Sequence, residues 1–346
     1  MKAYLSLSVD LIPEYFNSRL ANHLPIKLRK LRSVELVTQY SNNNYLFKLG
    51  VGSNQSQQFL YLKQAQRYNR RSVLRGRPQY VAPQRIEGEV DVLRQLRKIW
   101  GPNVVPEVLY YEKKFFALIM NDVSSNKLLI DEFTDRHTHP EIATRMAILF
   151  GQLHSSTWGT NKQYITSKSW YKVLTKFLTT HYATGVKKFV SLDKVNKFCN
   201  SSLQHRHCLI WGDPVYRNIF VKPKGQVTFI DFDMALRGDP AFDVGLLISH
   251  WLWMLLHRSA GVRRGARQFI KTFFPIYRKN MLTRISQDEY SKLLYRTGKH
   301  AGLYLVSRTD GDSGSYFADW PAWESQIRKL GLEMFKEYIT LADLQK

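Results

Sequence analysis

The spacing of hydrophobic and polar positions changes character along the chain. Val34 to Leu49 (VELVTQYSNNNYLFKL) carries two β-rich arms around an Asn cluster. Asn tolerates positive φ, so Ser41–Asn44 is expected to form the turn of a hairpin. A third β-rich run, Phe59 to Lys63 (FLYLK), follows the polar stretch GSNQSQQ. The segment from Gln66 to Gln84 is rich in Arg, and its prolines at 78 and 83 oppose a continuous helix, so it reads as a loop or insertion. Arg85 to Trp100 then places Ile86, Val90, Leu93, Leu96 and Ile99 at helical spacing before Gly101-Pro102, the pattern of an amphipathic helix with a stop signal. Two further strand-like runs, Glu107–Tyr111 and Phe115–Met120, flank a Glu-Lys-Lys turn. The expected product is a five-stranded sheet with one long helix.

Beyond Asp122 the period becomes mainly helical. Glu141 to Ser155 repeats Ile142, Met146, Leu149 and Leu153 on one helical face. Short strand-like runs interrupt this region at Cys208–Trp211, Ile219–Val221 and Val227–Ile230. No internal repeat is present. The fold expected is α+β in two lobes: residues 1–123 with an antiparallel sheet and one long helix, and residues 124–346, larger and mainly helical.

Composition narrows the class. The chain has 346 residues with 44% hydrophobic and 13% aromatic content, enough for packed cores and against disorder. Its two cysteines, Cys199 and Cys208, build neither a disulfide framework nor a Cys/His metal spacing. The opening residues soon meet Asp10, Pro13 and Glu14, unlike a signal peptide. The longest apolar stretch, Val244 to Leu256, is shorter than the ~20 residues of a membrane span. These features together lead us to expect a cytoplasmic protein.

Charge needs separate treatment, because 51 Lys plus Arg against 28 Asp plus Glu leave a formal +23. Such an excess suits nucleic-acid binders, whose affinity is dominated by phosphate contacts. However, the basic residues are spread along the chain, with acid-free concentrations only at Arg67–Arg85 and Arg258–Lys279, and no zinc-finger, basic-zipper or RNP-like pattern accompanies them. Solvated surface charge is the expected reading, and nucleic acid is not the expected partner.

The window from Cys208 to Gly245 holds five acidic residues between short strands. Asp213 follows an apolar strand and a Gly, Asn218 lies five residues later, and Asp231 and Asp233 end the apolar run VTFI. Carboxylates at strand ends with a nearby carboxamide make an oxygen-rich site suited to Mg²⁺. A carboxylate set apart from that group suits a general base toward a hydroxyl. Asp239 and Asp243, in GDPAFD, fit helix capping as well as chemistry.

This window resembles the aminoglycoside phosphotransferase and choline kinase superfamily, which shares the protein kinase fold. The matching residues are Trp211-Gly212-Asp213, Asn218, Ile230-Asp231-Phe232-Asp233 and Gly238-Asp239-Pro240 through Asp243-Val244. Trp211 stands where most members have His. The resemblance implies Asp213 as catalytic base, Asn218, Asp231 and Asp233 as Mg²⁺ ligands, and ATP as phosphoryl donor. It also implies Lys63 on the third strand as the phosphate-binding Lys, oriented by Glu89 of E-V-D-V-L. Asn44 matches an Asn common in the phosphate-covering loop, and Leu118–Val123 resembles the adenine-contacting hinge, with Asn121 and Val123 as contacts. His154, in Leu153-His154, is expected to be structural. The chain is also similar to methylthioribose kinases through LKQAQRYNRR, ALIMNDVS and GDPAFDVG.

Two functions follow. One is an ATP- and Mg²⁺-dependent phosphotransferase acting on a hydroxyl of a small molecule such as a sugar or polyol. The other is a catalytically silent binding protein on the same fold, using its basic surface for an anionic partner. Acids outside the metal motif are sparse, so the acceptor is expected to be neutral or anionic.

Overall fold

The computed structural model describes residues 6–37, 43–53, 56–74, 76–78, 80–124, 127–129, 140–160, 167–256, 259–310, 323–337 and 339–345. The chain divides into two compact units, one built chiefly from Met1–Ser125, the other from Asn126–Gln163 with Trp170–Lys346.

In the first unit, β1 (Leu31–Leu36), β2 (Asn44–Ser53), β3 (Ser56–Ala65), β4 (Val108–Glu112) and β5 (Ala117–Asn121) form one antiparallel sheet in the order β1-β2-β3-β5-β4. Strand side chains alternate between faces. Leu60 and Leu62 of β3 join Phe47, Leu49 and Ile119 in a core closed by Ile12, Tyr15, Phe16 and Leu20 of the N-terminal helical segment. Lys63, one position on, is directed to the opposite face. There the helix α1 (Arg85–Trp100) packs on β3, β4 and β5. It runs over the residues expected, and Gly101 ends it with φ +82°. Part of the Ser41–Asn44 turn lies outside the described residues. The segment 66–84 is less irregular than expected: Arg70–Leu74 is helical, and Tyr68 bridges Tyr80.

The second unit is mainly helical, with α2 (Pro140–Ser156), α3 (Ser167–Lys176), α4 (Leu192–Gln204), α5 (Pro240–Met254), α6 (Ala260–Met281), α7 (Gln287–Asp310) and α8 (Glu324–Phe335). α5 is buried along its whole length and packs on α7, while α6 packs on α2 and α5. Two small sheets lie in this unit. β6 (Lys127–Leu128), β8 (Ile219–Lys222) and β9 (Gln226–Phe229) form one, and β7 (Cys208–Ile210) pairs with β10 (Leu236–Gly238) in the other. β6 and β10 are too short to announce themselves by alternation. No helix among the described residues is long and apolar enough to cross a membrane.

Candidate active site

The loop after β7 is held from below by α5. Asp239 caps α5 by accepting from the Ala241 amide at 3.0 Å, and is clamped by Arg296, whose Nε lies 2.6 Å from its Oδ2. One turn later, Asp243 accepts from the main-chain N–H groups of Trp211 (2.6 Å) and Gly212 (2.8 Å). Both acids of the GDPAFD segment are therefore structural, and Asp243 sets the turn that delivers Asp213. Gly212 sits at φ +85°, and a Cβ there would lie 2.4 Å from the Met234 carbonyl oxygen, so the turn requires glycine. His154 is fully buried, 2.8 Å from the Tyr277 hydroxyl and 3.3 Å from Asp243, in the structural role expected of it.

Asp213 and Asn218 are joined directly. Asn218, in the short 3₁₀ turn Tyr216–Asn218, donates from Nδ2 to both the main-chain oxygen and Oδ2 of Asp213, each at 3.1 Å. With the amide nitrogen committed in this way, Oδ1 is the Asn218 atom that chemistry leaves for a cation. The Asn218 carbonyl accepts from Ile230 N–H at 3.0 Å, which ties this turn to the residue before Asp231.

Asp231 adopts φ +61°, a left-handed conformation uncommon outside glycine. Its carbonyl accepts from the indole Nε1 of Trp211 at 3.0 Å. Trp211 is buried and stacks on Phe232 with centroids 5.1 Å apart, while also packing on Phe229 and Phe150. The indole thus joins the Asp213 turn to the Asp231 turn.

Asp213 has its pKa raised to about 7, first by desolvation and then by the negative charge of Asp231, with Asp233 adding to it; Arg308 and Arg217 oppose the rise. Two further carboxylates therefore act on Asp213 at this point. Among the described residues no group of three or more His, Cys, Asp or Glu could hold a metal alone. A hard cation held by one carboxamide and one or two carboxylates, completed by phosphate oxygens and water, matches the donor set of Asn218, Asp231 and Asp233.

In the first unit, Lys63 Nζ lies 2.8 Å from Glu89 Oε1, and both side chains are buried. Asn44 is buried at the start of β2, where its Oδ1 accepts from Arg85 Nη2 at 2.7 Å. Arg85 also reaches the carbonyls of Asn43, Gln66 and Ala82. Although it belongs to the first basic run, Arg85 is 1% exposed and ties three chain segments together, in contrast to the solvated charge expected there. At the end of β5, Asn121 is used by the sheet: its Oδ1 accepts from Glu107 N–H and its own N–H donates to Glu107 O. Val123 lies beyond the strand, inside the Asx turn in which Ser124 N–H donates to Asp122 Oδ1 at 2.6 Å.

Arg217 and Arg308 were not singled out by sequence reasoning. Arg217 is concealed inside the motif spacer, and Arg308 lies 95 residues after Asp213 on α7.

A five-stranded sheet with a Lys–Glu pair to its helix, followed by a helical unit whose turns present Asp213, Asn218, Asp231 and Asp233, defines an α+β protein-kinase-like fold. The chain belongs to the phosphotransferase enzyme family, whose match spans residues 49–270. Solved structures share its fold at low identity. A choline kinase from Cryptosporidium parvum is 13% identical with a TM-score of 0.55, covering 94% of this chain and 96% of its own. The amicoumacin kinase hAmiN, in complex with AMP-PNP and Ca²⁺, is 12% identical with a TM-score of 0.56 over 91% and 92%. A streptomycin–ATP–APH(2")-IIa ternary complex is 14% identical with a TM-score of 0.50 over 96% and 99%. No curated relative matches the chain by sequence.

Proposed function

We propose that the protein transfers the γ-phosphoryl group of ATP, with Mg²⁺, to a hydroxyl of a small molecule. The observation that carries this reading is the joint placement of Asp213 and Asn218 by two 3.1 Å hydrogen bonds, beside the left-handed turn at Asp231. Asp213 accepts the hydroxyl proton and aligns its oxygen for attack. Asn218 Oδ1, Asp231 and Asp233 would hold Mg²⁺, which would supply charge neutralisation at the phosphates. In the other unit Lys63, oriented by Glu89, pairs with phosphate oxygens, and the main chain around Val123 receives the base. Most of the rate enhancement then comes from positioning and charge stabilisation. The solved relatives include kinases of choline and amicoumacin and one bound to ATP and streptomycin, which supports a small-molecule acceptor.

Nucleotide titration tests the metal assignment. Wild type is expected to bind ATP more tightly with Mg²⁺ than with EDTA, and Asp231→Asn to lose about tenfold or more of that Mg²⁺-dependent gain. Equal affinity with and without Mg²⁺ would remove Asn218, Asp231 and Asp233 from the metal role.

A further inference from the structure

Between β3 and α1 the chain makes an excursion that the phosphoryl-transfer roles do not use, and local hydrogen bonds build it. At its base Val81 N–H donates to the Arg67 carbonyl at 2.7 Å, and Arg85 Nη1 reaches the carbonyls of Gln66 and Ala82. Tyr68 then bridges Tyr80 in antiparallel fashion, with the two rings edge-on at 5.9 Å. Asn69 starts the short helix Arg70–Leu74, its Oδ1 accepting from Ser72 N–H at 3.0 Å. The Asn69 Nδ2 donates to Asn43 Oδ1 at 2.7 Å, which ties the helix to the residue before β2. Past the helix, Arg77 N–H donates to the Ser72 carbonyl and Gly76 N–H to that of Val73, each at 2.9 Å. These are the paired bonds of a Schellman stop, with Gly76 at φ +67°.

The finger so tied presents apolar side chains to solvent. Leu74 is 77% exposed, Val73 50%, Tyr80 59% and Tyr68 48%. A helix of five residues cannot bury its own apolar groups, and several of them gathered in water on one short segment mark a surface that meets a partner. The same segment is purely cationic. Arg67, Arg70, Arg71, Arg75 and Arg77 lie in it, and no Asp or Glu occurs between Lys63 and Glu87. The matching partner is therefore apolar and anionic together. The interface of an anionic bilayer is both, since tyrosine rings sit at headgroup level, aliphatic side chains pass below it and arginines pair with lipid phosphates. A nucleic-acid strand would use the arginines, but it has no place for Val73 and Leu74, and an edge-on tyrosine pair offers no open stacking platform.

We propose that the excursion around the Arg70–Leu74 helix is a membrane-docking finger: Val73, Leu74, Tyr68 and Tyr80 enter the interface of an anionic bilayer, and arginines of the segment engage its phosphates. The attachment is peripheral, as no helix among the described residues is long and apolar enough to cross a membrane. Only a small apolar area enters the interface, so apolar contact and charge are both needed for stable attachment. The inference is independent of the phosphotransferase reading, because none of these side chains is placed in that chemistry.

Co-sedimentation of the full chain with lipid vesicles tests it. Vesicles of equal parts phosphatidylcholine and phosphatidylglycerol are expected to bind the wild type about tenfold or more better than vesicles of phosphatidylcholine alone. Replacing Val73 and Leu74 together by Ser should cut binding to the anionic vesicles about tenfold. Thermal unfolding of that variant should match the wild type, because both side chains stand in water rather than in the core. Leu74→Trp should strengthen the same binding about threefold or more, and Arg77→Gln should weaken it by about that factor. Equal binding by the wild type and the double Ser variant overturns the finger and leaves charge alone as the attraction. Absence of binding to the anionic vesicles overturns it as well. A double Ser variant that keeps its vesicle binding but loses affinity for polyuridylate would assign the segment to nucleic acid, and the inference would fall.

Discussion

At the scale of single residues, the substitution of Trp for the usual His at position 211 has a physical account. The indole N–H reaches the Asp231 carbonyl at 3.0 Å, and the ring fills a pocket among Phe150, Phe229 and Phe232. A single side chain therefore supplies both a hydrogen bond to a left-handed turn and apolar packing. Trp211→Phe keeps most of the packing and removes the donor, leaving a carbonyl short of its partner at a cost of about 1–3 kcal/mol. We expect chemical denaturation to show that loss, and Mg²⁺-dependent ATP binding to weaken with it because the Asp231 turn loses its tie to the indole. Unchanged stability and unchanged nucleotide binding would assign Trp211 to packing alone. Lys63 and Glu89 belong to the same scale. The E-V-D-V-L match pointed to Glu89 although Glu87 is a near neighbour, and the structure pairs Lys63 with Glu89 at 2.8 Å and places Glu87 near Tyr111 and Lys113.

At the scale of elements, much was legible where local patterns decide the outcome. Arg85–Trp100 was readable because its apolar stripe and Gly101 stop are local signals, and β2, β3 and β5 because their runs are long enough to alternate. β10 was not, since Leu236–Gly238 has three residues and an Arg at its centre, and it is defined by pairing with β7 rather than by its own sequence. Asp243 was legible as a capping candidate, but its acceptance of two N–H groups 31 and 32 residues earlier is purely tertiary. The packing of α5 on α7 also buries two histidines in neutral form. Burial lowers His250 to about 3 and His300 to about 4 from 6.5. Arg308 and Arg217 reinforce the first shift; at His300, Arg296 and His205 reinforce it and Asp239 opposes it. Below the unfolded value of 6.5 the unfolded chain binds more protons than the folded one, so stability falls as pH falls. The contribution is complete above about pH 6.5 and is lost on acidification toward the folded values, with a slope of about 1.4 kcal/mol per pH unit for each histidine. Denaturant midpoints measured between pH 7 and pH 4 should decline accordingly; a flat profile through pH 6 to 5 would mean that these rings are not held neutral.

At the scale of the whole molecule, the +23 charge separates into parts with different meanings. Arg85 is buried among main-chain carbonyls, whereas Arg264, Arg267, Lys271 and Arg278 of α6 are exposed, solvated charge. Sequence composition could not make this division, because it depends on which side of an element each residue occupies. Replacing Arg264, Arg267, Lys271 and Arg278 together by Gln is expected to change acceptor preference and turnover by less than about twofold, while flattening the salt dependence of any nonspecific RNA binding. A change in acceptor preference would mean that this helix face contributes to substrate choice. The central claim is that Asp213 serves a phosphoryl transfer for which Asn218, Asp231 and Asp233 hold the metal. Its most direct measurement is acceptor-dependent ADP release by wild type and Asp213→Asn under saturating Mg-ATP. The account predicts turnover by wild type and a fall in kcat of about 10²–10⁴ for Asp213→Asn, with ATP affinity retained; equal turnover by the two proteins would contradict it.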